Sequence, residues 1–127
     1  LSTGGLLLAP VATAIDDEDN VYVANFNEGS VLKIAPTGEQ TFLAKLDAPD
    51  GFAIGHLDFV NNRLFGTAIV DQKIIMIRKS GKIQVRNQQL NEGRFPNGLT
   101  LDPVNNEILF TYGFGPVAEI ERIPLRN

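Results

Sequence analysis

Two tripeptides, Pro49-Asp50-Gly51 and Pro96-Asn97-Gly98, each hold one oxygen-bearing side chain between a proline and a glycine. Carboxylate and carboxamide oxygens are hard donors of the kind Ca2+ takes, at about 6–8 per ion. The same tripeptides are also good turn formers, because proline presets φ and glycine tolerates positive φ. The residues by themselves leave both readings open. His56 is the only histidine; it has the chemistry of a base or a ligand. No Ser, Asp or second His stands in a partner motif with it, so it reads as a loop residue. The absence of cysteine excludes thiolate nucleophiles, disulfides and Cys-ligated zinc. The acidic run Asp16–Asp19 reads as a solvated loop. The Gly-rich stretch from Gly113 matches neither a phosphate-binding loop nor a dinucleotide fingerprint.

The chain that positions these residues has 127 residues, enough for one domain with a real core. Its net charge of -4 is scattered, with no basic cluster to neutralise phosphates, so nucleic acid is not an expected partner. The longest nearly apolar run, Leu6 to Ile15, is interrupted by Pro10 and Thr13 and is too short to span a bilayer. A membrane is therefore not expected as a partner either. The sequence begins at Leu1 without an initiator Met and reads as processed, excised or part of something longer.

A pattern recurs along it: aliphatic, Asp, a few loop residues, Asn, then β-formers. The copies start at Asp16, Asp58 and Asp102, with spacings of 42 and 44 residues. A period of about 40–45 is that of four short strands joined by tight turns. Opening strands are read in PVATAI, PDGFAI and PNGLTL, and second strands in VYVAN, RLFGTA and EILFTY. Third strands are read in SVLKIA, KIIMIRK and AEIERIP; only the first two units add a fourth, EQTFLAKL and KIQVRN. These assignments rest on β-branched and aromatic enrichment with Gly/Pro/Asn punctuation. The repeated Asp16, Asp58, Asp102, Asn20, Asn62 and Asn106 are expected to close turns, since their side chains bond nearby amides and tolerate left-handed backbone. In unit two, Pro49 lies eight residues before Leu57, against five for the other two prolines. Either three residues are inserted near Gly55 and His56, or that strand boundary is displaced.

The stretch Asn20 to Gly38, NVYVANFNEGSVLKIAPTG, resembles a blade of the NHL-repeat proteins. It is equally similar to the gluconolactonase/senescence-marker-protein group. The resemblance implies an all-β propeller of three four-stranded-type blades, half of a six-bladed ring, with blade 1 at about 10–46, blade 2 at about 49–90 and blade 3 at about 96–127. Propellers close with about four to eight blades. Closure is therefore expected from a homodimer or from additional blades, with residues 1–3 supplying a fourth strand to the last blade of a partner or to a preceding blade. By the same resemblance, Asp50 and Asn97 fall where the gluconolactonase-like group holds a divalent metal, usually calcium. Unit one has Val11 at that place, and the glutamate of an E-G-P motif is missing. Two functions follow: a module binding a protein or small molecule across the ring face, or a calcium-dependent lactonase or esterase-type hydrolase. In the second, the ion would polarise a carbonyl and activate a water.

Overall fold

A computed structural model describes residues 2–26, 28–46, 54–87, 95–113 and 119–125. They form eleven strands in three antiparallel sheets. The first sheet is β1 (Pro10–Ile15), β2 (Val21–Asn25), β3 (Ser30–Ile34) and β4 (Gln40–Lys45), in that spatial order. The second runs β5 (Ile54–Val60), β6 (Arg63–Ala68), β7 (Lys73–Ile77) and β8 (Ile83–Asn87). The third has three strands among the described residues: β9 (Phe95–Asp102), β10 (Glu107–Gly113) and β11 (Ile120–Pro124). Each sheet is a meander, so strand order in space follows strand order in sequence. First strands stack on first strands, β1 against β5 and β5 against β9. The sheets are thus arranged as blades about a common inner edge, and are called blades 1 to 3 below.

Ten of the eleven expected strands appear within two residues of where the sequence placed them; the exception is the opening strand of blade 2. It was expected over 49–54 but spans Ile54–Val60. Asp58, expected in the turn, lies inside β5 opposite Phe65. The turn is Asn61–Asn62, both at positive φ (49° and 62°), between the paired Val60 and Arg63. Two left-handed residues make the tight hairpin whose twist suits antiparallel strands. The cause is one residue. Blade 3 reads Asp102-Pro103, and a proline has no N–H to extend the ladder, so β9 ends at Asp102 and a four-residue turn follows. Blade 2 has Phe59 at that place, and the strand continues two residues further. The irregular proline spacing is therefore a displaced strand boundary.

The other turns behave as their chemistry dictates. Asp102 Oδ1 accepts from the Val104 and Asn105 amides at 3.0 and 3.1 Å. Asp16, 5% exposed, is the most heavily bonded. Its Oδ1 accepts from the Glu18 and Asn20 amides, both at 2.9 Å, and its Oδ2 from the Tyr22 hydroxyl at 2.9 Å and Asn20 Nδ2 at 3.0 Å. Burial pushes its pKa up, but the hydrogen bonds from Asn20, Tyr22 and Glu18 outweigh that and hold it below the usual carboxylate value. The folded pKa lies below the unfolded one. Its stabilisation is therefore complete above the unfolded value and is lost as pH falls through the folded one. In denaturation curves taken from pH 7 to pH 2, Asp16→Asn should be less stable than wild type at neutral pH and lose less below about pH 4. Parallel curves would show that Asp16 does not drive acid unfolding.

Two joints hold the blades together. Between blades 1 and 2, the Ala12–Ala24–Val31–Ala44 row meets Leu57, Leu64, Ile75 and Ile77. Small residues on one face and branched ones on the other let the sheets approach closely. Tyr22 stacks flat on Phe59 across this joint, with ring centroids 5.8 Å apart and an interplanar angle of 6°. Between blades 2 and 3, Phe65, Ile74 and Met76 meet Leu99, Ile108, Phe110 and Tyr112.

Candidate functional site

Each inner strand carries a β-bulge near its start. The ladder slips between Pro10 and Ala12, between Ile54 and His56, and opposite Thr111, leaving Val11, Gly55 and the Asn97-Gly98 pair as the extra residues. A bulge turns the side chains of its strand and sharpens the local twist; the three lie near the same height, that of blade 1 one partner residue nearer the turn than that of blade 2. Asn97 is on β9, half-buried, as the sequence reading placed it at an inner-strand opening. Its neighbour across the joint is Gly55: a Cβ there would lie 2.7 Å from Asn97 Oδ1 and would collide with Ile69 Cδ1. Only a glycine leaves that room. The Thr67 hydroxyl, fully buried, donates to the Asn97 carbonyl at 2.7 Å and fixes the strand in height.

Asp50 lies outside the described residues. Counted from the equivalent pairs Ala12 with Ala24, Leu57 with Gly66 and Leu99 with Phe110, Asn97 corresponds to Gly55 in blade 2 and to Pro10 in blade 1, one residue before the Val11 that the sequence alignment gave. Among the described residues no three or more His, Asp or Glu side chains converge as a metal-binding group. The surroundings of Asn97 are one amide oxygen beside the Ile69 methyl and two glycines. That donor set falls far short of the roughly 6–8 oxygens of a calcium shell.

His56 is not a loop residue. It lies within β5, paired with Thr67, and is half-buried. It borders a concavity of about 340 Å3 that runs along the inner strand of blade 3 and over its outer face. Gly98, Leu99, Thr100, Leu109, Phe110, Thr111 and Ile120 form the rest of its wall. The chemistry is that of an apolar cleft with one imidazole and two hydroxyls in its lining, the usual make-up of a small-ligand site. The sequence reading missed Thr100, Leu109 and Ile120. Their only signal is alternation, which puts Thr100, Leu109 and Arg122 in one cross-strand row and Thr111 with Ile120 in the next.

No family model matches the chain, and no curated protein matches it. Solved structures do. A chain of the nidogen/laminin complex superposes with a TM-score of 0.75 at 19% identity, over 91% of this chain and 44% of that one. A catalytically inactive virginiamycin B lyase from Staphylococcus aureus, with quinupristin, gives 0.69 at 23% identity, over 93% and 42%. The PQQ-bound aldose sugar dehydrogenase from Streptomyces coelicolor gives 0.74 at 15% identity, over 97% and 46%. All are propeller-type proteins, and the likeness is one of fold. The chain is an all-β arc of propeller blades that spans less than half the length of each of these three.

Proposed function

We propose that this chain is a propeller binding module, completed at its outer blades by further blades, that takes an apolar group at the inner strand of blade 3. The observation that carries the reading is the 340 Å3 concavity beside β9. Binding modules and enzymes both occur among the propeller-type neighbours, so fold alone does not choose between them. The lining does favour binding, because the surface it presents is almost wholly apolar. A neutral fluorescent naphthylamine is a suitable probe. Wild type should bind it saturably, and Thr100→Trp, which places an indole over the cleft from an exposed position, should bind about tenfold more weakly, about 1.4 kcal/mol. Equal binding by both proteins would dispose of the reading.

A second reading is the calcium-dependent hydrolase, whose remaining oxygens would have to come from Asp50 and from further blades; the observation favouring it is the Asn97 oxygen held in the space that Gly55 leaves open. On this reading Ca2+ raises the melting temperature of chelator-treated protein by linkage, and both Asn97→Ala and Asp50→Ala abolish the rise. A melting temperature indifferent to millimolar Ca2+ would return Asn97 to a purely conformational role. Lactone hydrolysis is a separate assay and does not follow from binding.

A further inference from the structure

One end of blade 2 gathers positive charge in a protein that is acidic as a whole. The net charge is -4, yet the segments 60–64 and 77–83, which hold the β5–β6 and β7–β8 turns, contain Arg63, Arg78, Lys79 and Lys82 and no Asp or Glu. Strands of a meander alternate in direction, so both turns lie at the same end of the sheet. The ladder fixes which cations meet. Leu64 pairs with Ile77 at the end of the β6–β7 ladder, and one step beyond it Arg63 stands opposite Arg78. Across the next turn the Arg78 amide donates to the Lys82 carbonyl at 2.9 Å. Arg63, Arg78 and Lys82 therefore form one cross-strand row. Like charges directly opposite each other on a sheet are destabilising.

The two guanidinium groups are held in different surroundings. Phe65 and Met76, paired in the adjoining row, face blade 3, so alternation sends Arg63 and Arg78 to that same side. Arg63 is buried; its guanidinium lies 5.3 Å from the Phe65 ring centroid and its Nη1 is 3.9 Å from Met76 Sδ. Those two neighbours fix its direction. Arg78 is exposed, and its Nη2 donates to Gln84 Oε1 at 3.3 Å. Lys79 turns instead to blade 1, where it pairs with Glu18 at 3.2 Å. Asp58 belongs to the row of Phe65 and Met76, and its Oδ1 accepts from the Phe59 amide at 2.9 Å. Between the two turns lies a concavity of about 360 Å3, lined by Asn61, Asn62, Arg63 and Arg78.

We propose that this concavity binds a small oxyanion, the carboxylate or phosphate group of a ligand, between Arg63 and Arg78. A guanidinium carries five N–H donors in a planar fork that matches two oxygens of such a group. One part of the fork serves the anion while the rest keeps its protein contacts, as Arg78 does with Gln84. The Asn61 and Asn62 carboxamides add N–H donors without adding charge. An anion seated between the turns converts the repulsion along the row into attraction from both sides. The apolar bed of Phe65 and Met76 beneath Arg63 lowers the local dielectric and strengthens that attraction. The site shares no lining residue with the cleft at β9, so it is a second site and does not depend on what the cleft binds.

The test is a titration of isotope-labelled protein at low ionic strength, followed by its amide resonances. One arm uses inorganic phosphate above its second pKa, the other acetate, and sodium chloride of equal ionic strength is the blank. Saturable shifts are expected at Asn61, Asn62, Arg63 and Arg78 with at least one of the two anions. The anion bound more tightly identifies the natural group as phosphoryl or carboxyl. Arg78→Ala alters an exposed side chain, so it should keep the circular dichroism of wild type while binding about tenfold more weakly, the value of one hydrogen bond to a charged group. Arg78→Lys keeps the charge but loses the fork and should recover only part of the affinity. Lys79→Ala removes the same charge one residue along and should bind as wild type does. No saturable shift with either anion, or shifts confined to other parts of the chain, overturns the site. Equal affinity in wild type and Arg78→Ala overturns it too, and so does equal weakening by Arg78→Ala and Lys79→Ala, which is the mark of diffuse attraction.

Discussion

Tyr22→Asp should leave the protein unfolded, or nearly so, at 25 °C. Tyr22 is 1% exposed, stacks on Phe59 of the neighbouring blade, and donates its hydroxyl to the buried Asp16 carboxylate. The substitution removes a large aromatic from the joint between blades 1 and 2, which costs about 3–5 kcal/mol when an aromatic is truncated in a core. It also sets a second carboxylate beside Asp16 with no partner, and a buried unpaired charge adds several kcal/mol more. The sum rivals the whole stability of a small domain, about 5–15 kcal/mol. Tyr22→Phe separates the two effects. It keeps the ring stack and deletes the hydroxyl, so it should cost about 1–3 kcal/mol, the value of a hydrogen bond to a charged group. The same pairing explains why burial, first, and the bond to Asp16, second, drive the Tyr22 pKa far above its ordinary value. Denaturant unfolding followed by circular dichroism measures both variants. A Tyr22→Asp protein as stable as wild type would mean that this face of β2 is open to water.

Phe65→Ala should be the second most damaging change, at about 3–5 kcal/mol. Phe65 is fully buried, lies among Ile74, Met76, Ile108 and Phe110, and carries the Arg63 guanidinium 5.3 Å from its ring centroid. Its loss opens a cavity between blades 2 and 3 and strips Arg63, itself 8% exposed, of a cation–π partner. Stacked repeats communicate chiefly through nearest neighbours. Hydrogen exchange should therefore speed up first in β9 and β10, while β2 and β3 keep their protection. Phe65→Leu, which refills most of the volume, should recover about half of the loss. Uniform acceleration of exchange in all three blades would instead show that the arc opens as one unit.

The strands and most turns were legible because they are local. VYVAN and RLFGTA became strands with the bounds their letters gave, since β-branched and aromatic runs ending at Gly, Asn or Pro carry their own conformation. Asp16, Asp102 and Asn106 closed turns as their side chains dictate, with Asn106 at φ 57° and its Nδ2 donating to the Leu125 carbonyl. Asp58 misled because LDFVNN and LDPVNN look like one motif. The difference between Phe59 and Pro103 moves the turn two residues, and a spacing argument is blind to which position lacks an N–H. His56 was misplaced for the same reason: once β5 is shifted, a residue read as loop becomes strand.

What the sequence determined by itself was an all-β chain of three repeated meanders, with most of its turn residues. Those properties depend on residues a few positions apart. Only the tertiary structure decided that Asn97 sits over Gly55, that Thr100, Leu109 and Ile120 wall a cleft with His56, and that residues 2–8 lie across the back of blade 1. Each of those joins residues from different blades or from opposite edges of one blade. Such contacts follow from bulge positions and from the stacking of whole sheets, where a slip of one residue turns a side chain to the opposite face. No pattern within a single strand records which face will meet a neighbour.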